Sequence, residues 1–177
     1  MTNPVIVTGC GRSGTHWLGF LLKRIFGPTG AAFEPPTYTM YEHVVVDSRL
    51  RHWAGKLKND GHRIVHLVRD GREVVRSLDQ WYRMHPCLFT DQNGEQFLVG
   101  DGTAPPFDAL CHEWAQAIDK MDGSPILKLE DLTRESVRDS QSKHTLPHWT
   151  EWVEEQTETF WEICGTQMEK MGYAQDK

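Results

Sequence analysis

The chain predicts an α/β fold in which helices cover a central parallel sheet in three α/β/α layers. Three observations lead there. Val5-Ile-Val7 is a short β-branched run of the kind a buried parallel strand uses. It passes through Gly9, Gly11 and Gly14 into an apolar pattern of helical period, Trp17, Leu18, Leu21, Leu22 and Ile25. The same strand-then-helix grammar recurs from Val44 and from Ile64, and a further helix leads into a fourth strand near Ile126.

In chain order, the first helix is expected over 15–26, because Gly27-Pro28 stops it. A loop over 29–41 holds Pro35-Pro36. A second strand, Val44-Val-Val46, ends at Asp47-Ser48, and a modest helix follows over 49–58. The third strand is Ile64-Val-His-Leu-Val68. Asp70 is the expected N-cap of the next helix, with Glu73 three residues on in a capping-box-like pair. Val74, Val75, Leu78, Trp81 and Tyr82 form that helix's apolar face. Residues 84–106 carry Pro, Gly, Asn and Asp throughout and are expected to be irregular. A helix over 107–121, a fourth strand over 126–129 and a last helix over 150–171 complete the chain. In the last helix Trp152, Val153, Phe160, Ile163, Cys164 and Met168 are the expected core. There is no internal repeat.

The length of 177 residues suits a single domain over 1–177 with one core. No apolar run approaches the ~20 residues of a membrane span, and the N-terminus lacks a signal-peptide pattern. The four cysteines are scattered, which suits free thiols in a reducing compartment and hence a cytoplasmic location. Net charge is −6, unevenly spread. Residues 1–83 hold 12 Lys/Arg against 7 Asp/Glu, while 84–177 hold 7 against 18. A nucleic-acid partner is not expected of so acidic a chain. The positive half carries the glycine loop, which suits a small polyanion.

A strand, a glycine loop and a helix N-terminus together aim backbone N–H groups and a positive helix end at an anion. Gly9 and Gly14 have the spacing of G-x-x-x-x-G-K-[ST], the loop that binds nucleoside triphosphates. Yet Thr15 stands in place of the lysine, and His16 in place of the metal-binding hydroxyl. The cradle is kept and the magnesium chemistry is lost. Arg12 adds a permanent charge to the same loop. The histidines and cysteines form no metal set at usable spacing, so no catalytic metal is expected.

Gly11-Arg-Ser-Gly-Thr-His-Trp-Leu18 resembles the 5′-phosphosulfate loop of sulfotransferases that use 3′-phosphoadenosine 5′-phosphosulfate (PAPS). Val68-Arg-Asp-Gly-Arg-Glu-Val-Val-Arg-Ser77 is similar to that family's 3′-phosphate motif, with Arg69 and Ser77 eight positions apart and Glu73 replacing an aspartate. Leu127-Lys-Leu-Glu-Asp-Leu132 looks like its R-Y-E-D-L segment. Phe160 to Tyr173 looks like its closing helix. The resemblance implies a P-loop-like sulfotransferase fold, with PAPS as donor and adenosine 3′,5′-bisphosphate as product.

It also implies roles. Arg12 takes the place of the catalytic cation. Gly11, Ser13, Gly14, Thr15 and His16 would hold the 5′-phosphate, and Arg69 and Ser77 the 3′-phosphate. Trp17 falls where the family stacks adenine, although helix packing accounts for it equally well. Glu34 is the favoured general base and Asp47 the second, with Glu42 and His43 weaker candidates. Arg49 would assist at the sulfonate. Lys143 and His148-Trp149 match late family positions loosely. The acceptor is left open among small molecules, carbohydrates, lipids and peptides. A nucleotide kinase with a degenerate loop, or a non-catalytic nucleotide-binding module, are the alternatives.

Overall fold

The computed structural model describes residues 5–26, 40–41, 44–46, 48–121, 123–136 and 149–173. The described residues divide into two compact units, one within 1–69 and 121–137 and the other within 70–120 and 138–177.

The first unit is an α/β layer structure. Strand β1 (Val5–Thr8) leads into helix α1 (Thr15–Phe26). After β2 (Met40–Tyr41) and β3 (Val44–Val46), a 3-10 turn (Ser48–Trp53) runs into α2 (Ala54–Asn59). Strand β4 (Arg63–Val68) follows. The sheet order is β2-β3-β1-β4-β7, where β7 (Ile126–Lys128) precedes α5 (Leu129–Ser136). The four strands β3, β1, β4 and β7 are parallel, and β2 is antiparallel to β3 at one edge.

Strand alternation gives the sheet two apolar faces. Ile6, Val45 and Ile64 pack with Leu50, Ala54 and Leu57 of the turn and α2. Val7 and Leu67 lie on the other face, with Leu18, Leu21 and Leu22 of α1 and with Leu129 and Leu132 of α5. Parallel crossovers are right-handed. The crossover through α1 runs from β1 to β3 on one side, and that through α2 runs back past β1 to β4 on the other. The helices must therefore cover opposite faces, as these two clusters do.

The expected helix over 49–58 begins as a 3-10 turn and becomes α-helical only from Ala54. Strand β2 falls at the end of what reads as loop, because two residues are too few for an alternation to register.

The second unit is built on α3 (Gly71–Met84), α4 (Phe107–Asp119) and α6 (Glu154–Lys170). Trp114, Leu110, Ile118, Phe160 and Met168 are its most buried large side chains. Residues 84–106 depart from expectation. They contain a hairpin of β5 (Cys87–Thr90) and β6 (Gln96–Val99). Phe89 packs inward with Val99, Tyr82 and Phe97, while the paired Leu88 and Leu98 face outward. The Asp91 carboxylate closes the turn by accepting from the N–H groups of Asn93 and Glu95.

Val153 is another departure, 61% exposed where core was expected. It is the extended residue just before α6, and its N–H donates to the Gln156 side chain. Cys164 donates its S–H to the Cys111 carbonyl at 3.4 Å, and this bonding and burial raise its thiol above the usual range. All four cysteines are free. Among the described residues no helix is long and apolar enough to cross a membrane.

Asp70 caps α3 as expected, accepting from the Arg72 N–H at 2.9 Å. It also holds the Arg72 guanidinium, with Nη2–Oδ2 at 2.6 Å and Nε–Oδ1 at 3.0 Å. Arg72 is buried, and its guanidinium lies 4.1 Å from the centre of the Trp149 ring. Fork and stacking plane together are arginine chemistry that an ammonium cannot copy. Arg72→Lys is therefore expected to lower the unfolding free energy by about 2 kcal/mol, read from denaturant melts. An unchanged midpoint would show that the pair is incidental.

Candidate functional site

The carboxyl edge of the parallel sheet is where the first unit can bind a ligand. From β1 the chain moves to β3 on one side and then returns to β4 on the other, so the connections diverge between β1 and β4. Such a switch point leaves a crevice outside the strand ends. The loop 9–14 leaves β1 on one flank of it, and Arg69 follows β4 on the other.

The loop's shape follows from its residues. Ser13 donates both its N–H (3.2 Å) and its hydroxyl (2.6 Å) to the Cys10 carbonyl, closing the turn. Gly9 runs against β4. A Cβ there would lie 2.1 Å from the Leu67 carbonyl oxygen and 2.7 Å from Ser13 Oγ. Gly14 has φ +97°, and a Cβ on it would meet the Leu129 methyls at 2.7 and 2.8 Å. Thr15, buried, then begins α1, and Leu18 N–H reaches the Gly14 carbonyl at 2.9 Å. The amides ahead of Leu18 in that first turn have no intrahelical acceptor, which is what makes a helix start attractive to anions.

Arg12 is the unusual residue. It has φ +65°, the left-handed region that side chains with a Cβ avoid. The residue is exposed overall, yet the guanidinium pKa is lowered, first by burial and then by the like charge of Arg69. An arginine stays charged through such a shift. The fold thus holds two guanidinium groups within electrostatic reach of each other across the β1–β4 crevice, one of them on strained backbone. Strain and like-charge crowding of this kind collect at ligand sites.

The other sequence-predicted residues divide as follows. Gly11, Arg12, Ser13, Gly14, Thr15 and Arg69 all belong to the first unit and to this edge. Trp17 is half-buried and packs against the cluster of Val7, Leu18 and Leu67. The His16 backbone is helical, and its side chain lies outside the described residues. Ser77 is buried on α3 in the second unit. Glu34, Asp47, Glu42, His43, Lys143 and His148 lie outside the described residues, as does the side chain of Arg49. Ser13 emerges as a residue that shapes the turn, since both its donors go to Cys10. That use was foreseeable only from the turn geometry, because sequence treats a loop serine as a free donor. Comparison with protein-family models, with curated proteins and with solved structures finds no match to this chain.

Proposed function

We propose that the protein is a sulfotransferase of the P-loop-like type. It would move a sulfonate from PAPS to an acceptor hydroxyl or amine and release adenosine 3′,5′-bisphosphate. The observation that carries this reading is the crowding of Arg12, in a tight glycine turn, by Arg69 from the neighbouring strand end. The same turn lacks the lysine and hydroxyl that a magnesium-dependent triphosphate site needs.

The donor supplies a sulfonate already bonded to a good leaving group, its 5′-phosphate. In this reading the backbone of Gly11, Gly14 and Thr15 lines the 5′-phosphate, with Ser13 keeping the turn closed. Arg12 neutralises the negative charge that grows on the bridging oxygen as the sulfur–oxygen bond breaks and the acceptor's bond to sulfur forms. Arg69 takes the 3′-phosphate, with Ser77 its partner by sequence motif. The acceptor's proton goes to Glu34 or, second, to Asp47. Positioning and charge stabilisation carry most of such a transfer, as they do in phosphoryl transfer.

Calorimetry tests the donor assignment. Adenosine 3′,5′-bisphosphate should bind at least about tenfold more tightly than ATP with magnesium, and Arg69→Ala should lose about 2 kcal/mol of that binding. Equal or tighter binding of magnesium ATP would sink the sulfotransferase reading in favour of a kinase.

A further inference from the structure

We propose that the second unit carries a site for an aliphatic polyamine, in a groove between α4 and α6. Neither the glycine turn nor any nucleotide takes part in it. The two helices lie side by side. Phe107 meets Trp152, just ahead of α6, edge-on with ring centres 5.0 Å apart. Further along, Cys164 donates to the Cys111 carbonyl and Gln167 to Asp119 at 3.0 Å. Toward their N-terminal ends a groove of about 550 Å³ opens between them, a volume within the range of small-molecule sites. Its walls belong to the second unit alone.

The lining joins apolar contact to unbalanced charge. Phe107 and Ile163 are half-buried, while Asp108, Glu155 and Glu162 are exposed. No Lys or Arg lines the groove among the described residues. Helix α4 contains neither, and α6 has only Lys170, in its last turn. Helix α3 shows the ordinary alternative, with Glu73 and Asp79 each paired to an arginine three or four residues on, at 2.6 and 2.8 Å. The helix dipole accounts for Asp108 and Glu155, which stand in first turns. Glu162 lies at the centre of α6, beyond that field.

The spread of these charges sets the class of ligand. Glu155, Thr159 and Glu162 follow the i, i+4, i+7 spacing that keeps side chains on one helix face. The two glutamates are therefore about 10 Å apart along the axis. Asp108 lines the other wall, from α4. Among the described residues no three acidic, His or Cys side chains converge as a metal ion requires. A chain of methylenes with separated ammonium groups matches the pattern. Each nitrogen meets a carboxylate, and the methylenes cover Phe107 and Ile163. The Thr159 hydroxyl and the neutral form of the His112 ring, both in the lining, accept from ammonium N–H groups.

The test is calorimetry on the whole chain with spermidine, 1,4-diaminobutane and magnesium chloride, at low and at physiological salt. Spermidine should bind, more weakly as salt rises. Diaminobutane should bind less tightly, because its shorter span cannot bridge both glutamates. Magnesium chloride at matched ionic strength should not displace spermidine. Glu162→Gln should weaken spermidine about three- to fivefold, the size of one exposed ion pair. Glu169→Gln removes the same charge from an exposed position of α6 outside the groove and should leave the affinity unchanged. Ligand-free melting midpoints should agree among the three proteins. Equal weakening by the two substitutions would show attraction to the acidic surface at large and overturn the site, as would displacement by magnesium or no binding of spermidine to wild type. None of these outcomes bears on the sulfotransferase reading, whose tests use nucleotides.

Discussion

Arg12→Gly is expected to abolish sulfonate transfer and to make the chain more stable at the same time. The loss of activity follows from removing the charge assigned to the leaving oxygen, and losses of about 10³-fold or more attend removal of such a cation. The gain in stability comes from two features of the folded chain. Arg12 sits at φ +65°, where a Cβ costs roughly 1 kcal/mol and glycine costs little. Its guanidinium is also crowded by Arg69 and partly desolvated, both of which disfavour its charge. Arg12→Ala separates the two effects, since it removes the charge and keeps the Cβ. The glycine variant should then melt about 2–4 °C above the alanine variant, with transfer equally absent from both. Identical midpoints would mean that the left-handed turn carries no strain. Undiminished release of adenosine 3′,5′-bisphosphate from PAPS in either variant would remove Arg12 from the chemistry. Anions that fill the site should raise the wild-type midpoint more than that of Arg12→Gly, by ordinary linkage.

Gly9→Ala should do the opposite and damage the fold first. The new methyl would lie 2.1 Å from the Leu67 carbonyl oxygen. That oxygen belongs to β4, held between β1 and β7, and cannot swing aside as a flexible side chain could. Relief requires β1 and β4 to part at the carboxyl edge, at a cost of about 3 kcal/mol or more. A fall of roughly 6–12 °C in the midpoint is expected, with bisphosphate binding weakened in proportion. Gly55→Ala is the control. Among the described residues nothing lies within 4 Å of a Cβ at that position in α2, so the same chemical change there should be neutral or slightly stabilising. Equal effects at the two positions would mean that β1 and β4 do not approach as closely as described.

What could be read from the residues, and what could not, follows the range of the forces involved. Helix α1 has its expected bounds, Thr15–Phe26, because an apolar period of helical spacing just after a glycine loop is a local signal. The hairpin over 87–99 is not legible in the sequence, since four-residue strands give barely two periods of alternation and its Asn93-Gly94 reads as loop. Arg72 lies in the stretch that resembles the 3′-phosphate motif, and its burial against Asp70 and Trp149 depends on a tryptophan far along the chain.

The amino-acid sequence by itself determined the glycine turn, the strand and helix that flank it, and the absence of a triphosphate lysine. All of these rest on neighbours within a few residues, through φ preference, side-chain period and charge. Only the tertiary structure decided that Arg12 and Arg69, 57 positions apart, share one edge. Strand order is settled by which crossovers can be right-handed while both sheet faces are buried, and that condition involves the chain as a whole.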